Sequence, residues 1–201
     1  MKIKGSALLA RKEFVTRRFG ADAWTRLVAD MALVYPFFHS PVRTMSLIPV
    51  PDFLAFHDEL LRRFFPGESD AYFRLGEQSA AWAFTEGPYK RFMARKDIAS
   101  FVASMPNLSN AYWAESGCTY NATLEGAVTD FKVAGLPEWH PYFEYVVVGY
   151  IKGALEMLCE APVVAECVEG GSGTGYHYRF HISTGGEGIE ASPGGGSSVD
   201  R

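Results

Sequence analysis

The sequence predicts an α/β fold of the α+β type: N-terminal helices packed on a small antiparallel sheet, with a long amphipathic helix and a C-terminal β-hairpin. Three patterns carry that expectation. Apolar residues recur at spacings of three and four from Ala7 to Met105, as in helices with one buried face. Strict alternation replaces them near residues 127–133 and again near residues 163–182, as in strands with one buried face. Between those regions Phe143, Val146, Val147, Tyr150, Ala154, Leu155 and Leu158 form a sustained helical stripe.

Each element follows from local chemistry. Ala7, Leu8, Phe14, Val15 and Phe19 fall on one face of a first helix, which Gly20 ends. Trp24, Leu27, Val28 and Met31 continue the pattern until Tyr35-Pro36, where proline lacks an amide donor and restricts the residue before it. Residues 36–48 read as irregular, with a short extended piece near Met45 to Ile48. Pro49-Val50-Pro51-Asp52 opens a helix carrying Phe53, Phe56, Leu60, Leu61 and Phe64, and Pro66-Gly67 breaks it. Ser69 is placed to cap the next helix, which runs to about Glu86. Its small Gly76 and Ala80 allow a close helix neighbour. Gly87-Pro88 starts a segment through Met93, and Asp97 to Met105 reads as one more short helix.

Asn110 to Val133 reads as two or three strands. Cys118, Tyr120 and Ala122 form one alternating set; Thr129, Phe131 and Val133 form another, opposite Val128, Asp130 and Lys132. The clearest helix is Pro141 to Glu160; Tyr145 and Val148 lie off its stripe, so its first half is apolar nearly all round and must be sandwiched or at an interface. In the closing hairpin Val163, Ala165 and Cys167 alternate with Val164, Glu166 and Val168. Glycines at 170, 171, 173 and 175 make its turn, and Tyr176, Tyr178, Phe180 and Ile182 alternate with His177, Arg179 and His181.

At 201 residues the chain is expected to be one domain, 1–183, followed by a disordered Gly/Ser-rich tail, 184–201. Apolar residues make up 48% and charged residues 21%, which excludes wholesale disorder. The formal charge of −4 argues against broad nucleic-acid binding. The densest basic cluster, Lys90, Arg91, Arg95 and Lys96, reads as a solvated helix face. Three cysteines without tight spacing read as reduced thiols in a cytoplasmic protein. Arg11 and Lys12 end the short apolar start, so no signal peptide is expected. The longest strongly apolar run, Tyr145 to Ile151, is far too short to span a membrane.

No catalytic motif stands out. Gly-x-Ser-x-Gly, His-Glu-x-x-His and Cys-x-x-Cys are absent. Residues 170–175 match no phosphate-loop template and precede a strand, not a helix, so they read as a flexible turn. A Cys118–His140 dyad has no support from spacing; His140 reads more simply as a loop histidine capping a helix. A zinc site could use Cys167, His177 and His181 with Glu166, because thiolate and imidazole are proper zinc ligands, although a solvated strand face is the simpler reading. Aromatic residues make up 14%. Phe37, Phe38, Trp82, Phe84, Trp113, Phe143 and Tyr150, with Trp139, could line an apolar ligand pocket or simply fill the core.

Several segments together carry a family resemblance. They are residues 4–9 with Phe14-Val15 and Ala23-Trp24, residues 73–78, residues 105–110, the Gly149–Leu155 helix and the Tyr178-Arg179-Phe180 strand. The chain resembles an uncharacterised myxobacterial paralogous family. More distantly it is similar to the superfamily of heme-NO-binding domains, four-vinyl-reductase sensor domains and TRAPP vesicle-tethering subunits. The resemblance spans about residues 4–183 and implies a compact α/β fold, frequent dimerisation and, in some relatives, an apolar pocket between helices and sheet. Heme relatives use a histidine ligand and a Tyr-x-Ser-x-Arg motif. The nearest stretch here, Phe38-His39-Ser40-Pro41-Val42-Arg43, lacks the tyrosine and the spacing, so heme is doubtful. Zinc-binding relatives place cysteines and a glutamate around the final hairpin, where this chain has His177-Tyr178. The expectation is therefore a non-enzymatic sensory or binding domain for a small apolar ligand or protein partner. It is expected to be homodimeric and without cofactor, with zinc as the alternative. A structural interaction module without a pocket is the competing reading.

Overall fold

The computed structural model describes residues 1–87, 89–113 and 117–183. The expected tail, 184–201, lies outside the described residues.

The N-terminal half is helical. Helix α1 is Ser6–Phe19, α2 Ala21–Ala32, α3 Val50–Phe64, α4 Ala71–Thr85, α5 Lys90–Arg95 and α6 Ile98–Tyr112. A 3-10 turn, Pro36–His39, follows α2. Three boundaries differ from expectation. Two three-residue strands, β1 (Lys2–Lys4) and β2 (Leu47–Pro49), pair antiparallel with Ile3 opposite Ile48; strands that short leave almost no periodic trace in a sequence. Asp70, not Ser69, occupies the N-cap of α4, without a side-chain cap bond. Helix α6 continues through Pro106 instead of ending at Met105, so residues expected in strands are helical. Proline removes the amide that would bond the carbonyl four residues back, but the helix on either side persists.

The sheet is antiparallel, in the order β3 (Thr119–Glu125), β4 (Val128–Ala134), β6 (Gly175–Ile182), β5 (Val163–Glu169). The β3–β4 hairpin turns through Gly126-Ala127, with Glu125 opposite Val128. Gly126 has φ +59°, the left-handed conformation that two-residue hairpin turns need and glycine adopts freely. Tyr120, Thr129, Phe131, Val133, Tyr176, Tyr178 and Phe180 fill the inner face, whereas Lys132, Arg179 and His181 are exposed. Period-two alternation in the sequence maps directly onto those two faces.

Between β4 and β5 the chain makes the connecting helix. It opens with a π-helical turn, Tyr142–Val146, and continues as α7, Val147–Cys159. Its expected all-round burial has a physical cause: it is sandwiched between α4 and the sheet. Gly76 of α4 faces the backbone of Val146 and Tyr150, and Gly149 faces the carbonyl of Phe73. Those glycines let two helix backbones touch, a closer approach than any side chain permits.

Candidate ligand cavity

A cavity of about 220 Å³ lies where α1, α4 and the start of α7 meet the first strand of the sheet. Small residues open it: Ser6, Ala7 and Ala10 from α1, Ser79 and Ala83 from α4. Aromatic and branched residues close it. Trp82, Tyr89, Tyr112 and Tyr120 stand around it, with Val146, Val147 and Tyr150 along one wall. Alanines at one turn's spacing on α1 put the opening on the helix face that packs inward.

One charge reaches this apolar space. Arg11 lines the cavity and is only 3% exposed. Its Nη1 donates to Ser79 Oγ at 2.5 Å and, at 3.4 Å, to the Leu75 carbonyl. Its Nε is buried without a hydrogen-bond partner. The hydroxyl of Tyr150 is likewise buried and unpartnered, and burial holds that phenol well above its ordinary pKa. Burial does the same to Tyr120. Both are therefore neutral hydrogen-bonding groups at working pH. Behind Arg11, the Tyr112 and Tyr142 hydroxyls share a 2.5 Å hydrogen bond.

His57, fully buried on α3, extends this polar cluster into the core. Its Nδ1 donates to the Phe53 carbonyl at 2.8 Å, its Nε2 has no partner, and its ring centroid lies 4.1 Å from that of Tyr142. Burial first, and the positive charge of Arg11 second, hold His57 well below its ordinary pKa of 6.5, against weaker opposition from the Phe53 bond and Asp58, while His140 lowers it further. The unfolded chain thus takes up this proton first as pH falls. The neutral histidine's contribution is complete above about pH 6.5 and declines below it by up to about 1.4 kcal/mol per pH unit. Urea unfolding at pH 7.5 and 5.5 measures this loss. The variant His57→Phe is expected to flatten it, and an unchanged slope would assign the acid sensitivity elsewhere.

Of the aromatics singled out in the sequence, the cavity brings together Trp82 and Tyr150. Phe84 sits behind them in the core, 5.2 Å from Phe101. Trp113 and Phe143 pair with each other at 5.1 Å. Phe37 and Phe38 pack together by the 3-10 turn, where Phe38 stacks on Phe56 and lines a separate surface groove with His39, Ser40 and Val42. Arg11, Ser79, Tyr89, Tyr112 and Tyr120 were not singled out. The tyrosines could have been suspected as aromatics; a buried arginine carries no signal in sequence.

The three proposed zinc ligands separate. Cys167 is opposite Tyr178 in the ladder and so shares its face, whereas His177 and His181 project from the other. His177 Nε2 lies 2.7 Å from Asp130 and His181 Nε2 2.8 Å from Glu166. No group of three or more histidine, cysteine or acidic residues could hold a metal among the described residues. His140 accepts the Tyr142 amide on Nδ1 at 3.1 Å, capping the π-helical turn, and turns its Nε2 to Asp58 at 3.3 Å. No helix among the described residues is long and apolar enough to cross a membrane.

Solved structures share this architecture. An H-NOX protein from S. oneidensis in the Fe(II) ligation state aligns over 90% of this chain and 96% of its own, with TM-score 0.65 and 11% identity. An oxygen-binding H-NOX domain related to soluble guanylate cyclases aligns over 90% and 95%, with TM-score 0.62 and 10% identity. A structure described for modulation of heme redox potential by porphyrin distortion aligns equally far, at TM-score 0.62 and 10% identity. The chain therefore has the fold of heme-NO-binding domains. No family model and no curated protein matches the sequence.

That likeness overturns the expectation of no cofactor, zinc as alternative and heme doubtful. The neighbours point to heme. The earlier expectation rested on one segment, Phe38 to Arg43, which the fold places away from the cavity. Heme iron accepts histidine, cysteine, methionine or tyrosine. The described cavity wall has no histidine, cysteine or methionine, but it has tyrosines, and the buried, unpartnered hydroxyl of Tyr150 is a donor of the right type. The cavity wall thus offers iron a phenol and no imidazole, and ligation there would have to ionise a phenol that burial keeps protonated. At 220 Å³ the cavity is below the roughly 300–1,000 Å³ usual for drug-sized ligands. A compact ligand matches that volume; a porphyrin exceeds it.

Proposed function

We propose that the chain is a non-enzymatic sensory domain that binds an apolar ligand in the cavity between α1, α4 and α7. The observation that carries this reading is the cavity itself: an aromatic, mostly apolar space bounded by small residues, in a fold shared with a structure described for modulation of heme redox potential. Heme is the first ligand to test, with the Tyr150 hydroxyl as the iron donor and Trp82 against the ring. When bound, heme supplies an iron centre that takes small gaseous ligands. Trp82 and Tyr150 would hold that group, the apolar wall would exclude water from it, and Tyr150 would link it to α7.

Native mass spectrometry of the purified full chain, with an absorbance titration of hemin, tests this. A one-to-one hemin complex with an absorbance spectrum that changes in Tyr150→Phe supports the reading. The variant Ala83→Phe, which fills the cavity, is expected to weaken binding by tenfold or more. If neither hemin nor any co-purified apolar molecule binds, the sensory reading fails and the interaction-module reading takes its place. The same mass spectrum tests a homodimer. Its support is the exposure of Leu33 and Val34, 83% and 69%, at the end of α2; a monomer at micromolar concentration would remove that part of the proposal.

A further inference from the structure

We propose that Arg11 is an anion-binding group of this cavity, so that its ligand is an apolar molecule bearing a carboxylate. The inference rests on the cavity reading above and adds the chemical class of the ligand.

A buried charge is normally paired, because removing it from water is costly without a counter-ion. Two charged side chains among the described residues are buried without a counter-ion: three donors converge on Glu144, whereas Arg11 keeps a buried Nε without a partner. Guanidinium has five N–H donors, yet the carboxylates nearest along its groove are engaged elsewhere. Glu13 and Glu86, which line the outer groove that Arg11 also lines, both bond Arg17: Glu13 at 2.6 Å, Glu86 through both oxygens at 2.7 and 2.6 Å. No carboxylate among the described residues forms an ion pair with Arg11. Ser79 cannot supply the charge; it accepts from Arg11 and passes its own proton to the Leu75 carbonyl at 2.5 Å. The guanidinium is thus held in place by neutral oxygens, with its Nε left over.

The space beside that group is apolar. Ala7, Ala10 and Ala83 leave space beside it, and Trp82 and Val147 give apolar walls. The Tyr150 hydroxyl, also unpartnered, lines the same space. One fixed positive charge and one spare phenol in an otherwise apolar wall fit an amphipathic acid. Two sources share that chemistry: a propionate carried on a porphyrin, or the head of a free aliphatic acid.

Calorimetric titration of the full chain with four probes separates them: hemin, hemin dimethyl ester, decanoate and decanol. The expected result is that at least one acid binds about 10- to 100-fold more tightly than its neutral counterpart, the range of a charge-assisted hydrogen bond. Arg11→Gln is expected to remove that preference by weakening the acid's binding far more than the neutral probe's, and Arg11→Lys to restore part of it. Preference within the hemin pair alone assigns a porphyrin; preference within the decanoate pair alone assigns a free acid. Melting temperature gives an independent readout. If Arg11 were structural, Arg11→Gln would lower it; an unbalanced binding charge predicts an unchanged or higher value in ligand-free protein. Equal affinities for acid and neutral probes in the wild type overturn the assignment to Arg11 and leave the cavity reading standing. Binding of none of the four overturns both.

Discussion

Replacing Gly149 by alanine should cost at least about 3 kcal/mol, a loss near 10 °C in melting temperature for a chain of this size. A Cβ at Gly149 would lie 2.1 Å from the Phe73 carbonyl oxygen and 2.9 Å from its carbonyl carbon. Both atoms belong to α4's backbone, so no side-chain rotation relieves the clash; α4 and α7 must move apart. Gly76 makes the reciprocal approach, 2.2 Å from the Val146 oxygen, so Gly76→Ala should act similarly. Gly153 is the internal control. Its added Cβ would meet Glu77 Cα at 3.2 Å and Ala80 Cβ at 3.4 Å, contacts that a small shift accommodates. In a helix interior alanine also gains about 1 kcal/mol over glycine. Gly153→Ala is therefore expected to change stability by less than about 1 kcal/mol. Chemical denaturation of the three variants checks the ordering, and equal effects at Gly149 and Gly153 would refute the backbone-contact account. Because Trp82 and Tyr150 stand on the two helices that separate, Gly149→Ala should also alter ligand binding in any molecules that still fold.

One side of that contact, Gly76, was legible in the sequence, and so was much of the frame around it; Gly149 on the facing helix was not singled out. Amphipathic spacing located α2, α3 and α7 because a helix with one buried face must repeat its apolar residues every three or four positions. Alternation located β4 and β6 and sorted their faces, since Phe131 and Phe180 are buried while Lys132 and Arg179 are not. What failed was short-range or context-dependent. Strand β1 has too few residues to show a period, whereas β2 overlaps the extended piece expected near Met45 to Ile48. Pro106 and its polar neighbours read as a stop, although tertiary packing carries α6 to Tyr112. The cavity was half legible: Trp82 and Tyr150 stood out as aromatics, but aromatic residues fill cores more often than they line sites, and nothing local distinguishes the two. Arg11, followed by Lys12, has the look of a solvated pair. Its burial depends on residues 64 to 68 positions away, Leu75 and Ser79, which no local pattern encodes. Glu144, an acid in an otherwise apolar helical turn, Phe143 to Val148, is a signal the sequence reading did not use.

Glu144 is only 1% exposed, and its removal should be the most damaging single loss of a polar side chain. Three donors converge on its carboxylate: Trp139 Nε1 at 2.7 Å, the Gly171 amide at 2.9 Å and the Tyr178 hydroxyl at 2.8 Å. Trp139 precedes the π-helical turn, Glu144 lies within it, and Gly171 and Tyr178 belong to the closing hairpin. One side chain therefore ties the root of α7 to the hairpin turn. Gly170 must be glycine for the same reason, since a Cβ there would come within 2.3 Å of Glu144 Oε1. Glu144→Leu leaves three donors without this acceptor, the Tyr178 hydroxyl buried, Trp139 half-buried and Gly171 exposed, which should cost about 3 kcal/mol. Glu144→Gln retains one oxygen but turns an NH2 toward a donor, so an intermediate loss of about 2 kcal/mol is expected. The decisive comparison is the double variant Glu144→Leu with Tyr178→Phe. Burial keeps the Tyr178 phenol protonated, so in the single variant its O–H is one of the orphaned donors. Deleting it as well should recover part of the loss, whereas Tyr178→Phe alone should destabilise the protein. Additive losses in the double variant would mean that the two groups do not act on each other. Hydrogen exchange supplies the local readout: the Gly171 amide should lose protection in Glu144→Leu even at temperatures where the helices stay folded. Val146 and Val147 line the cavity two and three residues further along, so this carboxylate stands between the cavity wall and the hairpin.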